Sequence, residues 1–155
     1  MANAVTAADS RIRCRDLMTT NIRTATPETT LREAAQMMRE GDVGAVPVVD
    51  NGRLVGIITD RDVVIRAVAD GKPADSPVTD AMTRELVTAA PDDFVFAAAR
   101  LMGDKQVRRL PIVDADGSLV GILAMADVAL SMDDEQQIAE TLEEISSGSS
   151  FWQKS

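Results

Sequence analysis

The sequence contains one pattern twice. Asp-Leu-Met-Thr at residues 16–19 returns as Asp-Ala-Met-Thr at residues 80–83, which is a shift of 64 positions. The shift grows to 65 further along, where Leu-Val-Gly-Ile occurs at residues 54–57 and again at residues 119–122. Self-similarity at a fixed period indicates that one supersecondary unit is repeated and that neighbouring copies bury each other's apolar faces. We therefore expect two copies of a single fold.

The extra residue lies in a predicted hairpin turn. In the first copy, β-rich runs at residues 45–49 and 54–58 flank the turn Asp-Asn-Gly-Arg. Asn-Gly is a strong hairpin signal because both residues tolerate a positive φ. In the second copy the turn reads Asp-Ala-Asp-Gly-Ser at residues 114–118, and one more residue at a hairpin tip costs little. The sequence predicts one hairpin in each copy.

Each hairpin is predicted to follow a short strand and a helix. The short strands cover residues 22–25 and 86–89, and prolines follow both. The helix of each copy has apolar residues at the i, i+3, i+4, i+7 spacing: Leu31, Ala34, Ala35 and Met38 in the first, and Val95, Ala98, Ala99 and Met102 in the second. Thr30 and Glu33 predict a capping box for the first helix, and Asp92 or Asp93 is predicted to cap the second.

A closing helix is predicted after each hairpin, over residues 60–69 and 126–131. The fold class is therefore α/β (α+β), with two β-α-β-β-α repeats. We expect the first repeat at residues 12–71 and the second at residues 79–131, joined by a linker at residues 72–78. About sixty residues make a marginal core on their own, so the repeats are expected to pack together around an approximate two-fold axis.

The ends of the chain lack this pattern. Residues 1–11 are expected to be mobile, and residues 132–155 are expected to form an acidic helix and a flexible tail. The acidic residues of that helix are better explained as a solvated face than as a metal site. The first ten residues lack both the basic start and the apolar stretch of a secretion signal, so we expect a cytoplasmic protein.

Composition excludes several classes of function. The net charge of −9 disfavours binding to nucleic acid and to anionic membranes, and no apolar run approaches the roughly 18 residues of a membrane span. The chain contains no histidine, which removes Ser-His-Asp and Cys-His catalysis and imidazole zinc sites. Cys14 is the only cysteine, so no internal disulfide forms. We expect no enzyme activity and no required cofactor.

The ordered motifs resemble those of the cystathionine-β-synthase (CBS) domain. These motifs are Asp-x-Met-Thr, a strand, a Leu/Val-x-x-Ala-Ala helix, Val-Pro-Val-Val-Asp, and Leu-Val-Gly-Ile-Ile-Thr-Asp-Arg-Asp-Val. Two such sets in tandem are similar to a CBS pair, or Bateman module, over about residues 12–131. The resemblance implies a disc-like pair with two clefts that commonly bind AMP, ADP, ATP or a related adenosyl ligand. It also implies a homodimer that regulates a partner protein, in trans because no other domain is fused.

Thr59 and Asp62 are the strongest candidates for ligand contact. The strand before them runs directly into a helix, so Thr59 is expected at the helix entrance and Asp62 in its first turn. A carboxylate there can accept hydrogen bonds from both ribose hydroxyls, and the resemblance implies contact with phosphate or ribose. The alternative is purely local, because Thr-x-x-Asp is also a capping arrangement. The two roles are compatible.

The second copy departs from this pattern. Asp127 keeps the ribose position, but Ala124 replaces the threonine and can neither cap the helix nor bind a ligand. We therefore expect two unequal sites, with the one built on Thr59 and Asp62 the better.

Two further segments are candidates for the base and the phosphate. Arg108 and Arg109 precede a predicted strand, and the resemblance places basic residues here within reach of ligand phosphates. The alternative is a pair of surface arginines bound to acids such as Asp104. In the first copy, Ala45, Val46 and Pro47 are expected to pack on the adenine. A nucleotide-sensing module is the leading hypothesis, and a scaffold protein with vestigial clefts is the alternative.

Overall fold

The computed structural model describes residues 11–131. Residues 1–10 of the predicted mobile segment (residues 1–11) and the predicted acidic helix and tail over residues 132–155 lie outside the described residues. The elements in chain order are helices α1 (Cys14–Leu17) and α2 (Leu31–Gly41), strands β1 (Ala45–Asp50) and β2 (Arg53–Thr59), helix α3 (Asp60–Asp62) with its π-helical continuation (Val63–Val68), a 3₁₀ turn (Val78–Asp80), helix α4 (Val95–Lys105), strands β3 (Arg109–Val113) and β4 (Leu119–Ala124), and helix α5 (Met125–Ser131).

Both predicted hairpins are confirmed. Strands β1 and β2 pair antiparallel, from Ala45 opposite Thr59 to Asp50 opposite Arg53, and β3 pairs with β4 in a second two-stranded sheet. The first turn places Asn51 at φ 54° and Gly52 at φ 82°, the positive values that the Asn-Gly signal requires. Each hairpin leads directly into its closing helix.

The predicted short strands are reduced to single bridges. Ala25 forms a parallel bridge with Val48, and Ala89 forms one with Ile112. Residues 22–25 and 86–89 are all described, and neither segment extends into a strand. Pro27 and Pro91 follow within two residues and have no N–H to continue a ladder, so pairing stops at one bridge.

The helix starts agree only in part with the predictions. The predicted capping box of α2 is confirmed, since the Thr30 hydroxyl accepts a hydrogen bond from the Glu33 amide at 3.1 Å and a Glu33 carboxylate oxygen accepts one from the Thr30 amide at 3.1 Å. The predicted aspartate cap of α4 is wrong. Phe94 occupies the N-cap position, and Asp93 instead accepts from the Ala90 amide at 2.8 Å, which tightens the preceding turn.

The chain forms two compact units that exchange segments. The first, the Thr59 unit, comprises residues 22–86 and 116–119. The second, the Asp127 unit, comprises the described residues 11–21, 87–115 and 120–131. The Thr59 unit thus contains the Asp-x-Met-Thr segment at residues 80–83, which precedes the second copy. The Asp127 unit contains the one at residues 16–19, which precedes the first copy. The compact units therefore do not coincide with two contiguous repeats.

A glycine and a methionine form the main contact of each exchanged segment. In the Thr59 unit, a Cβ added to Gly56 would lie 2.6 Å from the Met82 sulfur, and Thr83 pairs with Ile57 through two main-chain hydrogen bonds of 2.8 and 3.0 Å. Gly121 and Met18 stand in the same relationship in the Asp127 unit, where the corresponding distance is 2.5 Å. Only glycine leaves room for the methionine at these strand positions.

The core of each unit follows the predicted apolar stripe. Leu31, Ala34 and Met38 are buried in the Thr59 unit, whereas Ala35 is exposed. In the Asp127 unit all four predicted helix positions are buried: Val95, Ala98, Ala99 and Met102. Within residues 11–131, no helix has both the length and the apolar composition that crossing a bilayer demands.

Candidate functional site

Thr59 and Asp62 cap the helix at the end of β2. The Thr59 hydroxyl accepts a hydrogen bond from the Asp62 amide at 3.0 Å, and Asp62 Oδ2 accepts one from the Thr59 amide at 3.1 Å. The local capping role is therefore present in the structure. Asp62 is 8% exposed, and it is the only buried charged residue among those described. Burial of a carboxylate is tolerated here because main-chain and side-chain donors surround it.

Two further side chains approach the Asp62 carboxylate. The Thr83 hydroxyl donates to it at 3.3 Å (Oδ2) and 3.4 Å (Oδ1), both long for this type of hydrogen bond. Arg66 Nε lies 3.8 Å from Oδ1, and the same guanidinium donates to the Met82 carbonyl at 3.4 Å. Oδ1 therefore has only weak contacts, whereas Oδ2 also holds the Thr59 amide.

The sequence interpretation missed Thr83. Its only signal was the repeated Asp-x-Met-Thr motif, in which Thr19 and Thr83 take the same place. Chain order gives no reason to pair Thr83 with the preceding helix. The exchange of segments between the units makes that contact.

The start of β1 lies beside the helix entrance. The Asp60 amide donates to the Gly44 carbonyl at 3.0 Å, and Ala45 lies opposite Thr59 in the hairpin. Ala45 is partly exposed, whereas Val46 and Pro47 are buried. Of the three predicted base contacts, only Ala45 presents its side chain, and the other two lie in the core of the Thr59 unit.

The Asp127 unit repeats the main-chain arrangement with different side chains. The Met125 amide donates to the Arg108 carbonyl at 2.8 Å, as the Asp60 amide does to Gly44. Arg108 and Arg109 are both exposed, and neither forms an ion pair within the described chain. The alternative interpretation, in which they are bound to Asp104, is thus not what the structure shows. Both arginines remain available to an anionic ligand.

Asp127 differs from Asp62 in its surroundings. It is partly exposed, and the described part of the chain supplies it with no hydrogen bond or ion pair. Ala124 precedes the helix where Thr59 stands in the other unit, and Ser131 takes the place of Arg66. Thr19 pairs with Ile122 through the main chain, as Thr83 does with Ile57, but makes no bond to Asp127.

The predicted site residues thus fall into two groups. Thr59, Asp62 and Ala45 meet in the Thr59 unit, and Arg108 and Arg109 share the Asp127 unit with Asp127. The Asp127 unit has a shallow open depression of roughly 520 Å³, which is lined by Arg15 and residues 88–93 and 113–115. None of the predicted site residues lines it. Across residues 11–131, no cluster of three acidic or cysteine side chains is arranged to hold a metal ion.

Comparison with known proteins gives one consistent family. The family model described as CBS domain matches residues 14–68 and residues 78–134. The CBS domain-containing protein YhcV of Bacillus subtilis (strain 168) is 42% identical over 132 residues, which cover 85% of this chain and 94% of that protein.

Two solved structures extend the comparison to ligands. The structure of CBSX2 in complex with AMP matches with a TM-score of 0.70 and 31% identity, over 77% of this chain and 95% of that one. The CBS domain pair of MJ0100, in complex with 5′-methylthioadenosine and S-adenosyl-L-methionine, matches with a TM-score of 0.69 and 29% identity, over 76% of this chain and 93% of that one.

Proposed function

This chain belongs to the CBS domain family, with two CBS domains in tandem, and from that premise we propose that it is a cytoplasmic adenosine-ligand sensor that regulates a partner protein in trans. Its action is regulatory, not catalytic, and it needs no cofactor. AMP, ADP, ATP or a related adenosyl compound is the ligand.

The position of the Asp62 carboxylate is the observation that carries this proposal. An ionised carboxylate has about four acceptor positions on its two oxygens. Oδ2 accepts from the Thr59 amide, but Oδ1 has only contacts of 3.4 and 3.8 Å among the described residues. A vicinal diol such as ribose supplies two donors to such a carboxylate, and hydrogen bonds to charged groups contribute about 1.5–3 kcal/mol each.

The other predicted site residues supply the base and phosphate contacts, each within its own unit. Adenine packs beside Ala45, with Val46 and Pro47 supporting β1 from the core. Within the Asp127 unit, Arg108 and Arg109 are the proposed phosphate contacts, because they are exposed and have no anionic partner within residues 11–131. Asp127 provides the second carboxylate for a ribose.

The ligands of the related structures support the choice of an adenosine ligand. CBSX2 was solved with AMP, and the MJ0100 pair with two compounds that lack phosphate. Adenosine with its ribose diol is common to all three. Recognition of the diol therefore accounts for the whole class, and the two arginines favour its phosphorylated members here.

Titration calorimetry with AMP and 2′-deoxy-AMP tests this function. The wild-type protein should bind AMP, and loss of one ribose hydroxyl should weaken binding by about tenfold, which corresponds to about 1.4 kcal/mol. Asp62→Ala should remove most of this discrimination. Equal affinity for the two ligands would refute ribose recognition.

A homodimer is part of the same proposal. Val64, Ile65 and Val68 lie on the π-helical segment after Asp62 and are 56%, 53% and 68% exposed. Three adjacent exposed aliphatic side chains on one helix are typical of an association surface. Val68→Lys should convert a dimer to a monomer in analytical ultracentrifugation, and an unchanged mass would argue against this surface.

Two observations favour the scaffold alternative. Asp62 is buried and already hydrogen-bonded, and Ala124 leaves the second helix without a hydroxyl at its entrance. A scaffold protein would bind no adenosine compound at millimolar concentration. A thermal-shift measurement with AMP, ATP and S-adenosylmethionine distinguishes the two functions, because a ligand that binds the native state raises Tm.

A further inference from the structure

We infer that Thr83 sets the affinity of the Asp62 site by occupying the carboxylate that a ligand hydroxyl must take. This inference rests on the proposed function, since it concerns how strongly that site binds. Thr83 acts through Asp62 and is therefore a positioning residue. Its hydroxyl occupies the place of one ribose hydroxyl when no ligand is bound.

The main chain holds Thr83 in this position. Two hydrogen bonds of 2.8 and 3.0 Å join Thr83 to Ile57 on β2, and the adjacent Met82 fills the space above Gly56. Only the side-chain torsion of Thr83 is therefore free to change. The hydroxyl faces both oxygens of Asp62, at 3.3 and 3.4 Å.

Competition follows from the position of the Thr83 hydroxyl and from how little of the Asp62 carboxylate is exposed. The Thr59 amide must stay on Oδ2 because it belongs to the helix cap. The Thr83 hydroxyl faces both oxygens of a carboxylate that is only 8% exposed, so a ligand diol must take acceptor positions that Thr83 now shares. The Thr83 contacts are long, so a rotation about one side-chain bond releases them at small cost. The site therefore has moderate affinity. When no ligand is bound, the Thr83 hydroxyl satisfies the buried carboxylate.

The second copy supplies an internal comparison. Thr19 is held by Ile122 as Thr83 is held by Ile57, with main-chain distances of 2.8 and 2.9 Å. Its hydroxyl makes no bond to Asp127 in the described part of the chain, and Asp127 is partly exposed. Removing the hydroxyl of Thr19 should therefore leave ligand affinity unchanged, which makes it the matched control.

Calorimetric titration with AMP tests this inference on the wild type, Thr83→Val, Thr83→Ser and Thr19→Val. Thr83→Val should tighten binding by about threefold to tenfold, as expected for removal of one weak competing hydrogen bond. Thr83→Ser, which restores the hydroxyl, and Thr19→Val should both match the wild type. Thr83→Val combined with Asp62→Ala should bind no better than Asp62→Ala alone. Unchanged or weaker binding by Thr83→Val would overturn the inference.

A second measurement on the wild type does not depend on any variant folding. Three-bond couplings to the Thr83 methyl group report its side-chain rotamer by NMR, and AMP should change that rotamer while the rotamer of Thr19 stays the same. An unchanged Thr83 rotamer in the saturated protein would overturn the inference while leaving the proposed function intact. If the wild type binds no AMP, binding by Thr83→Val would still support competition, and binding by neither protein would refute both proposals.

Discussion

Thr59 and Asp62 bind each other's main chain, with the Thr59 hydroxyl 3.0 Å from the Asp62 amide and Asp62 Oδ2 3.1 Å from the Thr59 amide. Thr30 and Glu33 form the same arrangement at 3.1 Å on α2. Two boxes of the Thr-x-x-acid type with nearly equal geometry therefore lie within residues 11–131, and one of them is at the proposed ligand site.

This pair of boxes separates capping from binding. Thr59→Ala and Thr30→Ala should each lower the free energy of unfolding by about 1 kcal/mol, because each leaves one helix amide without its side-chain acceptor. Only Thr59→Ala should also weaken AMP binding, since it disturbs the carboxylate that we propose as the ribose contact. Urea denaturation gives the first quantity and titration calorimetry the second. Equal AMP affinity of the two variants would restrict Thr59 to a structural role.

Helix α5 begins after Ala124 and lacks the side-chain cap that Thr59 gives to α3. Ala124→Thr should raise the free energy of unfolding by about 1 kcal/mol, because the new hydroxyl can accept a hydrogen bond from the amide of Asp127. Thermal unfolding should show Tm higher by a few degrees. Ala124→Val is the matched control, since it adds similar volume without an acceptor. A Tm for Ala124→Thr no higher than that of Ala124→Val would contradict this assignment.

The helices, hairpins and Thr59–Asp62 cap follow from local sequence signals. Apolar periodicity predicts the helices, and Asn-Gly predicts the first turn. A helix and a tight turn both depend on residues that are close in sequence. Local signals also favoured strands at residues 22–25 and 86–89, but each residue there must pair with a distant strand, and only Ala25 and Ala89 do so. Local propensity carries no information on how many such pairings form.

The exchange of segments between the two units has no local sequence signal. Residues 16–19 and 80–83 carry nearly the same motif, and either could pack on either hairpin by local chemistry. The fold places residues 80–83 in the Thr59 unit and residues 16–19 in the Asp127 unit, so each segment packs on the hairpin of the other copy. This arrangement brings Thr83 to Asp62, a contact that no local signal in the sequence predicts.

The contact between Met18 and Gly121 provides a direct test of this exchange. A Cβ on Gly121 would lie 2.5 Å from the Met18 sulfur and 2.7 Å from Met18 Cγ, so Gly121→Ala should lower the free energy of unfolding by about 1–3 kcal/mol. Gly121→Ala combined with Met18→Ala should lose less than the sum of the two single changes, because the clash is removed. A denaturation-based double-mutant cycle measures this coupling. Strictly additive losses would show that the segments do not touch.

The Cys14 thiol lies in the core of the Asp127 unit with no exposed surface. Burial, aided by the negative charge of Asp93, raises the pKa of the thiol from 9.0 to about 11. The thiolate is the reactive form, so the folded protein should resist iodoacetamide at pH 8 and react once it is unfolded in urea. Mass spectrometry of the alkylated protein provides the measurement, and rapid labelling of the folded state would contradict the burial of Cys14.

The same shift predicts how stability depends on pH. Between about pH 9 and pH 11 the unfolded chain loses the thiol proton while the native state keeps it, so the unfolded state binds fewer protons and stability falls as pH rises. The loss of stability amounts to a few kcal/mol at most (roughly 2–3 kcal/mol). Other groups titrate in this range, but they are common to the wild type and to Cys14→Ala. Urea denaturation gives the free energy of unfolding of the wild type and of Cys14→Ala. The difference between the two should be constant below pH 8 and should change in favour of the variant above pH 9. A constant difference up to pH 11 would show that the thiol pKa is not raised.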